Sequence, residues 1–246
     1  MRTVTRLIRA LSLPALLLVT TLAAQAQDPV ATLPDAYRLQ FENEWVKIVR
    51  VHYAAGARLA EHSHPAASLA FVYLTDAEPV VFKHTGSMNR SVTRPAVKAG
   101  SYRLARGDSE VHSFENDSTQ ASEFLRVELK TGAAGVRGFR RRVPVPVQPA
   151  NGSASDVEFT NAQIRITRLR IAAGQSVDLT TTQNEPALLV ALLPASLTVA
   201  RASSPDLSLT LGQERWIETR QHEHISNTGS VPAEFLRFDF LTKPAS

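Results

Sequence analysis

The sequence predicts an all-β protein made of two tandem barrels, on the strength of a long internal repeat, short β-rich segments and closely spaced turn signals. The segment LQFENEWVKIVRVHYAAG, residues 39–56, aligns without gaps with VEFTNAQIRITRLRIAAG, residues 157–174, at an offset of 118 residues. A second pair, EFLRVEL from Glu123 and EFLRFDF from Glu234, lies 111 residues apart. A repeat of more than 100 residues is too long for a solenoid unit and indicates a duplicated domain.

Each copy shows the residue pattern of strands. WVKIVRVHY and IRITRLRI alternate or run apolar with many β-branched residues, whereas the 3.6-residue periodicity of helices is scarce. Turn signals such as Arg-Gly-Asp, Asn-Asp-Ser and Asn-Thr-Gly interrupt the strands at short intervals. This combination predicts a sandwich or a barrel in each copy.

Identical residues at matched positions of the two copies are expected to serve the scaffold, because both copies need them. They are the pairs Asn43/Asn161, Arg50/Arg168, Gly56/Gly174 and Arg126/Arg237.

Residues 1–26 have the pattern of a secretory signal peptide. Three arginines precede an apolar run over residues 10–23, and the small residues Ala24 and Ala26 form a cleavage pattern. The alternative is a membrane anchor, but the run is shorter than the roughly 20 residues that span a bilayer. We therefore expect an exported protein, periplasmic or secreted by the general route, with no membrane segment after cleavage.

The composition excludes several classes of function. Cleavage would remove three arginines and no acids, so the formal charge of +4 would fall to +1, and no nucleic-acid partner is expected. The chain has no cysteine, which excludes disulfides, thiolate metal ligands and a cysteine nucleophile.

The repeat boundaries predict a first domain over residues 37–130, a linker over 131–156 and a second domain over 157–242. The linker is rich in Pro, Gly and Ser and contains the basic cluster Arg137, Arg140, Arg141 and Arg142. We interpret it as a connector that is solvated or lies against a barrel; the alternative is a docking site for an anionic partner.

One short motif in the first copy contains residues that can bind a metal ion. Gly56 is followed after five residues by His62-Ser63-His64. In a strand, residues i and i+2 face the same side about 6.6 Å apart, so two imidazoles can converge on one ion and a neighbouring strand can add a third ligand.

With this motif the sequence resembles the cupin superfamily, whose first motif is Gly, five residues, His-x-His, three or four residues and Glu. The Glu position falls here on Ser68 or Leu69. The second cupin motif, which ends in His, three residues and Asn, is matched by Gly100, Gly107, His112 and Asn116, with a wider spacing before the histidine and no proline before the second glycine.

The resemblance implies two jelly-roll barrels and a metal site formed by His62, His64 and His112. Three neutral imidazoles can hold a divalent ion such as Fe, Zn or Mn without the usual carboxylate, and the higher charge of such a site favours an anionic group at the open position. The alternative is a set of ordinary interior histidines that bind water. Glu61 is expected on the opposite face of the strand and is a poor substitute for the missing acid.

The second copy is predicted to lack the metal site. Offsets of 118 and 111 residues place Thr180, Thr182 and Glu223 at the histidine positions. His222 and His224 form another His-x-His that we interpret as an exposed pair without a function.

Two functional hypotheses remain open on the sequence. The first is an exported two-barrel cupin that uses its metal on a small molecule, by dioxygenase-like or Lewis-acid chemistry. The second is a non-catalytic cupin that binds a small ligand or a protein partner. No residue has a clear catalytic role, because the facing of Tyr73, Arg103 and Glu110 is not predictable from the sequence, and His52 and His84 have no motif position. The oligomeric state is open as well.

Overall fold

A computed structural model describes residues 28–86, 88–106, 109–132, 141–145, 152–200 and 207–244. The expected signal peptide at 1–26, Gly107 of the second motif and the linker residues Arg137 and Arg140 lie outside the described residues.

The first half begins with one turn of helix, α1 (Pro29–Thr32), and continues as strands. The strands are β1 (Tyr37–Glu42), β2 (Val46–Tyr53), β3 (Arg58–His64), β4 (Ser68–Tyr73), β5 (Val80–His84), β6 (Arg90–Arg94), β7 (Tyr102–Arg106), β8 (Glu110–Glu115), β9 (Ser122–Leu129) and β10 (Arg141–Val143).

The second half repeats this organisation. Its strands are β11 (Ala154–Thr160), β12 (Ile164–Ile171), β13 (Ser176–Thr180), β14 (Ala187–Ala191), β15 (Ala195–Ala200), β16 (Leu207–Leu209), β17 (Glu214–Ile217), β18 (His222–Asn227) and β19 (Ala233–Phe240).

Each half is a barrel of two antiparallel sheets. The first barrel pairs the sheet β1-β2-β9-β4-β7-β10 with β3-β8-β5-β6, and the second pairs β11-β12-β19-β14-β17 with β13-β18-β15-β16. The predicted all-β class and tandem jelly-roll architecture are confirmed. In the described part of the chain, no helix is long and apolar enough to cross a membrane.

The repeat in the sequence is a repeat of structural detail. The β1–β2 and β11–β12 ladders shift register at the same place, between Leu39 and Phe41 and between Val157 and Phe159. The Asn43 carboxamide accepts two backbone N–H groups in the following turn, as Asn161 does in its own. Gly56 has φ of +66° and Gly174 has +69°, a conformation that glycine adopts without steric cost. These shared residues therefore build turns.

The two barrels pack through the outer faces of their large sheets, with a common core of buried residues from both halves. The interface has approximate two-fold character. Arg50 donates to the carbonyl of Leu211 at 3.1 Å, and its counterpart Arg168 donates to that of Gly100 at 2.8 Å. Phe41 stacks on Trp216 with a centroid separation of 6.1 Å.

Part of the expected linker belongs to the first barrel. Arg141, Arg142 and Val143 form β10, which pairs antiparallel with Leu104, Arg103 and Tyr102 of β7. Arg141–Val143 thus lie along the edge of the large sheet of the first barrel, whereas the last residues of the expected linker, from Ala154, already belong to β11 of the second barrel.

Candidate metal centre

Four histidines and one glutamate share the inner face of the small sheet in the first barrel. His62 on β3 and His84 on β5 both pair with His112 on β8, which lies between them, and His64 pairs with Glu110. Directly paired residues of antiparallel strands present their side chains on the same face. The four histidines are between 2% and 5% exposed, so the sheet gathers buried imidazoles that the sequence places up to 50 residues apart.

A β-bulge aims the His-x-His motif into the barrel. The β3–β8 register shifts between Leu59 and His62, so Ala60 and Glu61 are exposed while His62 and His64 are buried. As predicted, Glu61 lies on the wrong face to bind with the histidines.

The predicted triad converges. The ring centroids of His62 and His64 are 5.0 Å apart, those of His62 and His112 are 4.6 Å apart, and those of His64 and His112 are 5.1 Å apart. One ring nitrogen from each lies within 4.8 Å of the other two. Three ligands of one ion with metal–nitrogen bonds of about 2.0–2.1 Å lie closer together than this limit, and small side-chain adjustments would bring the three rings onto one ion.

Hydrogen bonds set the tautomer of His62. Its Nδ1 lies 2.8 Å from the Ala60 carbonyl, which can only accept, so Nδ1 carries the proton of the neutral ring. Nε2 is therefore the lone-pair nitrogen, and the Tyr37 hydroxyl lies 3.0 Å from it. A backbone carbonyl that orients the remote nitrogen is a typical outer-shell contact of a metal-binding histidine.

The buried ring nitrogens of the histidine triad fit a bound metal ion. Both ring nitrogens of His112 are buried and have no hydrogen-bond partner. Buried polar atoms in proteins are normally satisfied, so a bound ion would account for the nitrogen of His112 that carries the lone pair in the neutral ring. His62, His64 and His112 would hold the ion.

The electrostatics keep the imidazoles neutral, as metal binding requires. Burial lowers the pKa of His64, and the charge of Arg126 lowers it further. Burial, followed by the charge of His62, lowers the pKa of His112 to about 2. Burial also lowers the pKa of His62.

These depressed values predict how the stability of the metal-free protein depends on pH. Below pH 6.5 the unfolded chain binds protons on His64 and His112 that the folded chain does not bind, so the free energy of unfolding falls as the pH falls. Each histidine contributes at most about 1.4 kcal/mol per pH unit to this fall in the free energy of unfolding.

Urea unfolding of chelator-treated protein at pH 7.5, 6.0 and 5.0 measures this slope. His112→Gln should reduce the slope, whereas His52→Gln, at an exposed histidine, should leave it unchanged. Equal stability at all three pH values would contradict the prediction.

No family model and no curated protein sequence matches the chain. Among solved structures, the bacterial pirin YhhW from Escherichia coli in complex with nickel(II) aligns at 14% identity and TM-score 0.57, over 85% of this chain and 83% of that one. A cupin 2 conserved barrel domain protein from Leptotrichia buccalis aligns at 10% identity and TM-score 0.52, over 83% and 88% of the two chains. A salicylate 1,2-dioxygenase variant from Pseudoaminobacter salicylatoxidans aligns at 11% identity and TM-score 0.53, over 80% and 72%. The chain has the cupin fold.

The structure decides which residue occupies the carboxylate position of the first cupin motif. On β4, Ala70 and Val72 belong to the core between the barrels. Side chains alternate along a strand, so Ser68 shares their face and Leu69 faces the barrel interior. Leu69 accordingly lines a pocket together with His84 and Glu110.

Leu69→Glu should therefore restore the cupin carboxylate and tighten metal binding by roughly tenfold or more, at the lower end of the range for tuning contacts around a metal. Ser68→Glu, one residue away on the opposite face, is the matched control and should leave the affinity unchanged. Competition with a chromophoric chelator measures both variants. Tighter binding in the Ser68 variant alone would assign the position to Ser68.

Two residues that the sequence left unassigned lie beside the histidine triad. Glu110 Oε2 lies 3.7 Å from His84 Nδ1 and 3.9 Å from His112 Nδ1. His84, Glu110 and His112 also form a group whose ligand atoms lie within 4.8 Å of one another. The sequence signal was the alternation of β5 and β8, but only the strand pairing shows that both residues face the triad.

Arg126 also lies at this centre, although its presence in both copies suggested a scaffold role only. Its guanidinium is buried, donates to Glu128 at 2.8 Å, and lies 4.0 Å from Glu110. Arg237 makes the same contact with Asp239 in the second barrel. The scaffold role holds, but in the first barrel the charge also acts on the histidines.

The asparagine of the second motif is structural. Asn116 donates to the carbonyl of Ala54 and accepts from the N–H of Ser118, as Asn227 does with Ile171 and Gly229. His222 and His224 are exposed, as expected, and both contact Asp178.

The second barrel has no counterpart of the triad among its described residues, although two of the positions assigned from the repeat were wrong. Because β13 lacks the bulge of β3, Leu179, not Thr180, pairs with Glu223 and corresponds to His62. By the same shift Thr181 replaces His64. Leu179 belongs to a core of apolar side chains that fills this barrel, and Glu223 replaces His112 as expected.

Proposed function

We propose that this protein is an exported cupin enzyme in which His62, His64 and His112 hold one divalent ion that acts on a small molecule. Three buried imidazoles converge on one point, and both ring nitrogens of His112 lack a hydrogen-bond partner; this convergence is the observation that carries the proposal. The cupin fold, a nickel complex of one structural neighbour and the dioxygenase activity named for another support it.

A divalent ion with three imidazole ligands keeps open positions, at which it supplies Lewis acidity or, if redox-active, activation of dioxygen. The chain supplies the surroundings. The Ala60 carbonyl orients His62 through Nδ1, and the Tyr37 hydroxyl lies beside Nε2, the nitrogen that would bind the ion. Glu110 is the carboxylate beside the triad and is placed to accept a proton from a small molecule there. Tyr37, Tyr53, Phe71, Phe82 and Phe124 line the adjoining cavity and exclude water.

Oxygen uptake by protein loaded anaerobically with Fe²⁺ tests the proposal against a panel of catechols, phenolic acids and thiols. Loading outside the cytoplasm favours Zn²⁺ over Fe²⁺ on affinity alone, so hydrolysis of simple esters by the Zn²⁺-loaded protein is the parallel assay. Activity in either assay that is lost in His112→Ala supports the enzyme. Bound metal with no turnover in either assay would favour the binding-only cupin.

Export is proposed from the sequence of residues 1–26. Expressed in an exporting bacterial host, the mature chain should begin near Gln27, because Ala24 and Ala26 form the cleavage pattern. Intact-mass measurement of the secreted or periplasmic fraction checks this. A chain that retains Met1 would contradict export.

A further inference from the structure

A pocket of the first barrel, next to the histidine cluster, has a strongly basic lining. It reaches His84 and is bounded by strands of both sheets and by β10 of the linker. Among the described residues, its charged lining consists of Arg90, Arg94, Arg103, Arg106, Arg142 and Glu110. Five arginines against one carboxylate create a positive potential that attracts anions.

Two of these arginines also reach the metal centre. Arg94 and Arg103 line the inner cavity whose wall includes His64 and His112. Arg94 and Arg103 therefore line both the basic pocket and the cavity beside the triad.

Neither guanidinium is neutralised within the described part of the chain. Arg103 lies over the ring of Phe71 at 3.9 Å, and its Nε is buried without a hydrogen-bond partner. Arg94 lies over Phe82 at 5.7 Å. Burial and the charge of Arg103 lower the pKa of Arg94, and the opposing attraction of Glu110 does not offset them. No described acidic side chain lies within 4 Å of either guanidinium. Two like charges that are partly removed from water are unfavourable unless an anion joins them.

The second barrel contains the matching position in a neutralised state. Arg103 pairs with Phe71 on β4, and Arg215 pairs with the equivalent Leu189 on β14. Arg215 makes a bidentate ion pair with Glu223 at 3.0 and 2.9 Å. Glu223 occupies the position of His112, so the barrel without the triad supplies its own carboxylate where the first barrel has a histidine.

We propose that Arg94 and Arg103 bind the carboxylate of a small organic acid beside the three histidines. The planar guanidinium fork matches a carboxylate in geometry, and the carboxylate supplies the negative charge that Glu223 supplies in the second barrel. Arg126 is not part of this subsite, because Glu128 already pairs with it. The subsite rests on the proposed function, since it defines the substrate of that centre as a carboxylate.

Calorimetric titration with benzoate, and with benzamide as its uncharged analogue of the same shape, tests the proposal on full-length protein. The titration uses chelator-treated protein, so that a metal cannot bind the carboxylate directly. Benzoate should bind at least roughly tenfold more tightly than benzamide, the factor expected when a charge-assisted hydrogen bond is lost. Arg103→Gln and Arg94→Gln should each remove this preference. Arg103→Lys should restore part of it, and Arg38→Gln, at an exposed arginine of β1, should leave it intact.

Equal binding of benzoate and benzamide by the wild-type protein would by itself contradict the proposed carboxylate subsite. Benzoate binding that is unchanged in both glutamine variants would overturn it as well. Metal content, measured on the same preparations, reports separately on the proposed function. Metal-loaded protein without a benzoate preference contradicts only the subsite, whereas arginine-dependent benzoate binding in protein that never binds metal contradicts only the metal centre.

Discussion

His112→Ala should abolish the stabilisation that a divalent ion gives to this protein. An ion that binds only the folded state at 100 times its Kd raises the free energy of unfolding by about 2.7 kcal/mol. His112 belongs to both groups of possible ligands around the cluster, so its removal leaves two imidazoles at the triad and a single imidazole with Glu110. We expect the variant to show no rise in Tm with Zn²⁺, in contrast to the wild-type protein.

Thermal unfolding with and without Zn²⁺, monitored by circular dichroism, measures this difference. His224→Ala is the matched control, because that histidine is exposed in the second barrel and should not affect the response. A Zn²⁺-dependent rise in Tm that persists in the His112 variant would contradict the assignment of the ligands.

Phe238→Ala should destabilise the protein by about 3–5 kcal/mol, the usual cost of truncating a fully buried phenylalanine. Phe238 is 0% exposed and lies in the core that the two large sheets share, together with residues such as Leu125 and Val127 from the first barrel. The cavity that the truncation of Phe238 leaves would therefore weaken the packing between the barrels as well as within the second barrel.

Urea unfolding gives the free energy for this variant. Val231→Ala, at a position 58% exposed, should change the free energy of unfolding by less than about 0.5 kcal/mol and serves as the control. A loss below about 1 kcal/mol for Phe238→Ala would show that the core between the barrels contributes little to stability.

The sequence predicted the fold well because the duplication doubled every signal. Asn43 and Asn161 make the same turn, and Gly56 and Gly174 adopt the same positive φ, so an alignment of the chain with itself revealed the scaffold. What the alignment could not show was a one-residue bulge before His62, which moves the equivalent position from Thr180 to Leu179. A bulge changes which side chains face inward without leaving a strong signal in composition.

The histidine triad was predictable from motif spacing, but its surroundings depend on strand pairing. His84 and Glu110 join the cluster because β5, β8 and β3 are neighbours in one sheet. Motif spacing left the carboxylate position open between Ser68 and Leu69. Only the alternation of side chains along β4 shows that Leu69 faces the barrel interior. The role of Arg103 can be inferred only by comparison with Arg215. Arg215 pairs with Glu223, and the first barrel has His112 at the position of that glutamate. These relations are long-range, and a local pattern does not contain them.

Metal content of purified protein, measured by mass spectrometry after loading and desalting, tests the central claim most directly. We expect about one ion per wild-type chain, none in His62→Ala, His64→Ala or His112→Ala, and an unchanged content in His84→Ala and His222→Ala. Loss in His84→Ala with retention in His62→Ala would place the ion between His84, Glu110 and His112 instead. Equally little metal in the wild-type protein and in His64→Ala would contradict the metal centre altogether.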